Sequence, residues 1–213
     1  MSPDVGGPTA AVTEQARGPG RRAAASREQV LEAATARYMR GDRVDVQSIA
    51  TELGLGRTTI YRWFGTREKL VGEVLVRTAA ERFERARSAA RGSGAERILD
   101  TFDRFNRAIA TAPPLRRLVA RERETAVRII TAGGGSVQPR IVAMITAAIE
   151  EEVDAGRYDP PVEPATLGYA IVRLAEAFLF NDAATGMKAR VERLREIEAA
   201  LLGAVPASVA RPD

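Results

Sequence analysis

The sequence predicts an all-α protein. Apolar residues recur three and four positions apart along most of the chain, and the periodic segments end at Gly or Pro clusters. No stretch shows the apolar–polar alternation of a half-buried strand, and no internal repeat is present.

The elements follow in order. Residues 1–25 are rich in Gly, Pro, Ala and Thr, lack a hydrophobic period and end with Arg17, Arg21 and Arg22, as expected of a disordered basic arm. Ser26 is a suitable N-cap for a first helix with Val30, Leu31, Ala34 and Tyr38 on one face, ending at Gly41-Asp42. Asp45 can cap a second, short helix that turns Ile49, Ala50 and Leu53 inward. Gly54-Leu55-Gly56 is a turn, a third helix runs from about Arg57 to Phe64, and Gly65 stops it. Thr66 caps a longer fourth helix reaching about Ala90, with Leu70, Val71, Val74, Leu75 and Phe83 as its stripe. Further helices are expected at about 95–111 (ending at Pro113-Pro114), 115–132, 139–155, 164–181 and 188–202.

Composition narrows the chemistry. The 213 residues contain no Cys and no His, which removes disulfides, thiolate metal sites, Ser-His-Asp and Cys-His arrangements and the commonest zinc ligand. Neither a metal nor a cofactor is expected. No apolar run approaches the roughly 20 residues that span a bilayer. The N-terminus also lacks the pattern of a signal peptide, so no membrane association and a cytoplasmic location are expected. The formal net charge is +4. Between Arg17 and Lys69 there are eleven Lys/Arg against six Asp/Glu, while the rest from Val71 onward is nearly balanced. A basic excess at one end suits a nucleic-acid surface.

The segment Val46–Phe64 carries the chemistry. Two short helices crossing steeply need a small residue where they touch, which Ala50 supplies, and a turn residue tolerant of positive φ, which Gly54 supplies. Ile49, Leu53, Leu55 and Ile60 then seal a small core, leaving Arg57, Thr58, Thr59, Tyr61, Arg62 and Trp63 free. Arg and Thr reach base edges in a major groove, while Tyr and Trp donate to phosphate oxygens. Helix N-termini favour phosphate, which adds the backbones of Val46, Gln47 and Thr66. Lys69 lies in the first turn of the fourth helix, where the helix dipole disfavours a cation unless an anion faces it. The candidate DNA-binding set is therefore Gln47, Arg57, Thr58, Thr59, Tyr61, Arg62, Trp63 and Lys69, on a helix-turn-helix bounded at about 26–72.

Over about residues 30–75 the sequence resembles the TetR family of bacterial regulators. The matching core is Ile49-Ala50, Leu53-Gly54-Leu55 and the run Thr59-Ile60-Tyr61-Arg62-Trp63-Phe64-Gly65-Thr66-Arg67-Glu68-Lys69-Leu70. The resemblance implies three DNA-binding helices followed by a larger helical part, here about 73–203, that binds an effector and dimerises, with 204–213 as a tail. Thr59, Tyr61 and Lys69 fall at positions that the family uses for DNA. Trp63 stands where the family often has His, Gly56 replaces the usual Ser or Thr before the third helix, and the loop between the first two helices is short. The stretch from Arg173 to Asp182 resembles a subgroup that includes regulators of quorum-signal degradation, which implies an apolar acyl effector.

The resemblance also implies a homodimer formed by the helices at about 164–181 and 188–202, holding a palindromic double-stranded operator as a repressor. Their stripes are Leu167, Ala170, Ile171, Leu174, Ala177 and Phe178, then Val191, Leu194, Ile197 and Leu201. Candidate effector-cavity walls are Phe102, Phe105, Ile109, Leu118, Ile129, Ile145, Tyr169 and Phe178. Arg173 and Glu176, three apart on one helix, suit an ion pair. A regulator with a filled core and no effector is one alternative. A small helical enzyme using Glu122, Glu124 and Asp103 is the other, but these residues lie in charge-alternating helices expected to face solvent. The chain is therefore not expected to be an enzyme.

Overall fold

The computed structural model describes residues 25–180 and 191–204. The expectations for the arm before Ala25, for residues 181–190 and for the tail from 205 lie outside them. Among the described residues there are nine helices and no strand: α1 (Arg27–Arg40), α2 (Val46–Leu53), α3 (Arg57–Phe64), α4 (Arg67–Ala89), α5 (Gly94–Ala110), α6 (Pro113–Thr131), α7 (Gln138–Asp154), α8 (Pro164–Phe180) and α9 (Val191–Leu202).

The caps explain the boundaries of the first four. Ser26 accepts from the Gln29 backbone while the Gln29 side chain accepts from Ser26 N–H, a reciprocal capping box. The Asp45 carboxylate accepts from both the backbone and the hydroxyl of Ser48. These bonds hold it below its ordinary pKa. Gly54 ends α2 at φ 64°, a left-handed conformation open to Gly at little cost. Thr66 caps α4 through Lys69 N–H. By contrast α3 has no side-chain cap, as Gly56 requires.

One boundary differs from expectation, and one helix is bent. Pro113 and Pro114 do not trail α5 but open α6. Proline lacks an N–H that the first helical turn leaves unpaired anyway, and its fixed φ is already helical. Inside α6, Glu122 departs from helical geometry (φ −137°, ψ 47°), so the helix is kinked.

The core has two centres. One gathers α1–α3 around Val30, Ile49, Ile60 and Leu70 and continues past residue 72 through Val74 and Leu75 to Leu115, Ile130 and Val137. Each such side chain contributes about 1.5–3 kcal/mol on full burial. The other is built on Phe83, Phe102, Phe105, Ile145, Ile149 and Ile171, with Phe83 and Phe105 meeting edge to face at 5.4 Å. α7 packs along α8, and α5 lies between α4 and α9. At Gly168 a methyl group would stand 2.5 Å from Thr146 Oγ1 and 3.3 Å from its Cα, so α7 and α8 approach backbone to backbone.

Candidate nucleic-acid interface and effector cavity

On α3, Ile60 and Phe64 are buried and Thr59 and Trp63 half-buried, whereas Arg57, Thr58, Tyr61 and Arg62 are exposed. The outward face is thus narrower than the sequence suggested. Eight helical residues cannot present six side chains to one groove, and the Trp63 ring packs against the α1–α3 core instead. Thr59 stands at the edge of the face. Tyr61, a large ring, projects at 44% exposure. Gln47 is exposed on α2, where its amide donates weakly to Thr51 Oγ1 at 3.4 Å.

Lys69 is exposed, and its chain folds back over Gly65: Nζ lies 3.6 Å from where a Gly65 Cβ would sit. The ammonium therefore stands beside the C-terminal end of α3, whose free carbonyls favour a cation. This offsets the unfavourable start of α4. Arg27 closes the same corner, its guanidinium 4.5 Å above the Phe64 ring.

The second feature is an apolar cavity of about 90 Å³ among α4–α9, with Tyr38 of α1 reaching its wall. A single water needs roughly 10–15 Å³. Of the eight expected wall residues, Phe102, Phe105, Ile109 and Ile145 line it. The other four do not. Leu118 lines a small hollow between α6 and the α1–α2 turn. Ile129 packs toward Gly72 while its neighbour Ile130 faces the cavity. Tyr169 is 53% exposed on the outer side of α8, and Phe178, half-buried on another face of that helix, is not part of the cavity wall. For Ile129, Tyr169 and Phe178 a shift of one or two residues along the helix, 100° per residue, separates cavity from flank.

Polar groups interrupt the wall. The Glu176 carboxylate accepts from Gln138 Nε2 at 3.1 Å and from Arg173 Nη1 at 2.7 Å, so the expected Arg173–Glu176 pair is present. Burial nonetheless raises its pKa. Glu198 Oε1 accepts from Asn106 Nδ2 at 2.9 Å, but its Oε2 has no partner. Burial pushes the Tyr38 hydroxyl up to about 12 against the lowering effects of Arg82 and Thr78.

A family model, the tetracyclin repressor-like C-terminal domain, matches residues 93–203. The R. erythropolis transcriptional repressor QsdR, from the TetR family, aligns with a TM-score of 0.78 at 31% identity, over 88% of this chain and 96% of that one. The chain belongs to the TetR family. It is a DNA-binding transcriptional regulator. The TetR-family repressor AlkX of Dietzia sp. strain DQ12-45-1b shares the fold, with a TM-score of 0.58 at 20% identity, covering 85% of this chain and 97% of that one. So does Thermus thermophilus FadR, a TetR-family repressor in complex with lauroyl-CoA, with a TM-score of 0.52 at 15% identity, covering 88% and all of that chain. No match was found among curated proteins. Among the described residues no helix is long and apolar enough to cross a membrane.

Sequence reasoning about this TetR-family chain missed two features. Glu122 does not face solvent: it accepts a bidentate pair from Arg67 (2.7 and 2.8 Å), while Arg67 Nε donates to Val44 O. Arg117 and Arg121 of α6 likewise donate to Arg40 O and Gly41 O. The kinked helix is thereby latched to the α1–α2 turn. Arg67, with Arg43 beside it at 3.4 Å, holds the Glu122 carboxyl below its usual range against the effect of burial. Asp103 is also engaged, accepting from Arg107 at 3.0 Å. Glu124 is exposed, as expected. The second omission is Glu198. It sits four residues from both Leu194 and Leu202, so a carboxyl in the middle of an i, i+4 apolar row was the available signal.

Proposed function

We propose that the protein is a cytoplasmic, non-enzymatic, homodimeric repressor that holds a palindromic operator and lets go when a small, mostly apolar effector of the acyl type fills the cavity. The head, about residues 26–72, contacts DNA through Gln47, Arg57, Thr58, Thr59, Tyr61, Arg62, Trp63 and Lys69. Of these, Arg57, Thr58, Tyr61 and Arg62 enter the groove, and Trp63 serves mainly to seat the helix. The outer flanks of α8 and α9, where Tyr169 and Ile197 are exposed, form the twofold contact. Residues 73–203 are the sensing and dimerising part. The repressor reading follows the likeness to QsdR.

One observation carries the mechanism: the cavity wall includes Tyr38 of the head together with Leu115 and Ile130 of α6. A ligand in that space touches α1 and α6, which Arg117 and Arg121 join through Arg40 O and Gly41 O. A dimer must hold its recognition helices about 34–36 Å apart to enter successive major grooves. An effector that favours another spacing by about 1.4 kcal/mol lowers operator affinity tenfold.

Selection of bound fragments from random DNA at fixed salt tests this. The expected result is a palindrome whose affinity falls steeply with added salt. A non-palindromic or absent motif would remove the dimeric operator reading.

A further inference from the structure

The cavity is apolar except at a few points, and Glu198 is the least satisfied of them. The residue is fully buried on α9 and lines the cavity. Oε1 takes the Asn106 amide, whereas Oε2 has no hydrogen-bond partner. Leaving a buried polar atom unpaired costs about 1–3 kcal/mol, so such an atom beside empty space is a place for a ligand group. We propose that Glu198 anchors the polar head of the effector, and that this head is an uncharged hydroxyl or amide rather than a carboxylate or an ammonium.

The neighbouring charges select the head. Glu198 and the Arg173-paired Glu176 both border the cavity, and Asp103, paired with Arg107, opposes the effect of Arg195 on Glu198, so the carboxylates of the wall itself disfavour an anion. Arg82 borders it too and repels a cation. Arg82 is the group on which a carboxylate would settle, but it is partly exposed and already donates to Thr78 O at 2.8 Å. A hydroxyl or an amide both donates and accepts, so it can meet the Glu198 carboxyl whether or not that group carries its proton. The apolar remainder of the wall takes the ligand's hydrocarbon part.

This rests on the effector reading above, and the test separates the two. Calorimetry on the full chain with n-hexanol, hexanamide, hexanoate and headless toluene is paired with operator binding in the same ligands. Hexanol and hexanamide are expected to bind at least tenfold more tightly than hexanoate. Glu198→Met should abolish that preference while leaving toluene affinity unchanged. Glu198→Gln, which keeps a partner for Asn106 and a polar head, should retain it. Hexanoate binding as tightly as hexanol, or a Glu198→Met protein that keeps its hexanol affinity, overturns the anchor and leaves the effector reading standing. Glu198-dependent binding with unchanged operator affinity does the reverse. If none of the four probes binds, both fall.

Discussion

Ile49 and Ile60 are almost completely buried in the head, whereas around Phe102 and Ile145 the chain leaves about 90 Å³ and a carboxyl oxygen without a partner. The residue types are similar in both places. The difference lies in what each core must do. The head has eight-residue helices that hold their shape only through close packing. The C-terminal part has helices of 12–23 residues, which can tolerate incomplete packing between them. A tight region that presents side chains and a loose region that admits a ligand are what a regulator needs, and the contrast can be tested.

The largest expected effect is in the head. Ile60→Ala should cost about 2–5 kcal/mol, read by urea denaturation, because the space it leaves cannot be filled by short, already packed helices. Next, Tyr61→Ala combined with Lys69→Ala should weaken operator binding about 100-fold, or about 2.7 kcal/mol, in a titration at constant salt, with melting unchanged. A double variant that binds as well as the parent would move the contact surface off α3. The third prediction sets one change in two places. Ala50→Leu should destabilise by about 1–3 kcal/mol through overcrowding. Ala175→Leu, which adds the same atoms to the cavity wall, should alter stability by less than about 1 kcal/mol and abolish the response to effector. Equal costs at the two positions would mean that the two cores are packed alike.

The smallest effect is a pH dependence. Burial raises the Glu198 carboxyl from its ordinary 4.5 to about 7. The Asn106 bond lowers it, Asp103 raises it and Arg195 lowers it. The folded protein therefore holds this proton more tightly than the unfolded chain does. Stability falls as pH rises from about 4.5 to about 7 and is flat in this respect above that window. Glu198→Gln should remove this part of the slope, so its advantage in melting temperature over the parent should grow across the window and then level off. A parallel offset at every pH would mean that the carboxyl does not titrate there.

Much of this architecture was legible in the sequence because local rules governed it. Ser26, Asp45, Gly54 and Thr66 announce their caps by residue type alone, and Ala50 with Gly54 announces the crossing of α2 and α3. The cavity was half legible. Phe102, Phe105, Ile109 and Ile145 could be named from their stripes, but a stripe does not say which members meet a neighbour and which meet a void. That depends on helix phase, and so Leu118, Ile129, Tyr169 and Phe178 lie outside the wall of this cavity. The Arg67–Glu122 latch was not legible at all. It joins residues 55 positions apart across a kink that no Pro or Gly signals.

The bare backbone of Gly168 against Thr146 has a mechanical consequence. With no side chain between them, α7 and α8 are keyed together and resist sliding past one another. Even one methyl group on that glycine must therefore part the two helices, because backbone atoms of Thr146 stand 3.3 Å from where it would lie.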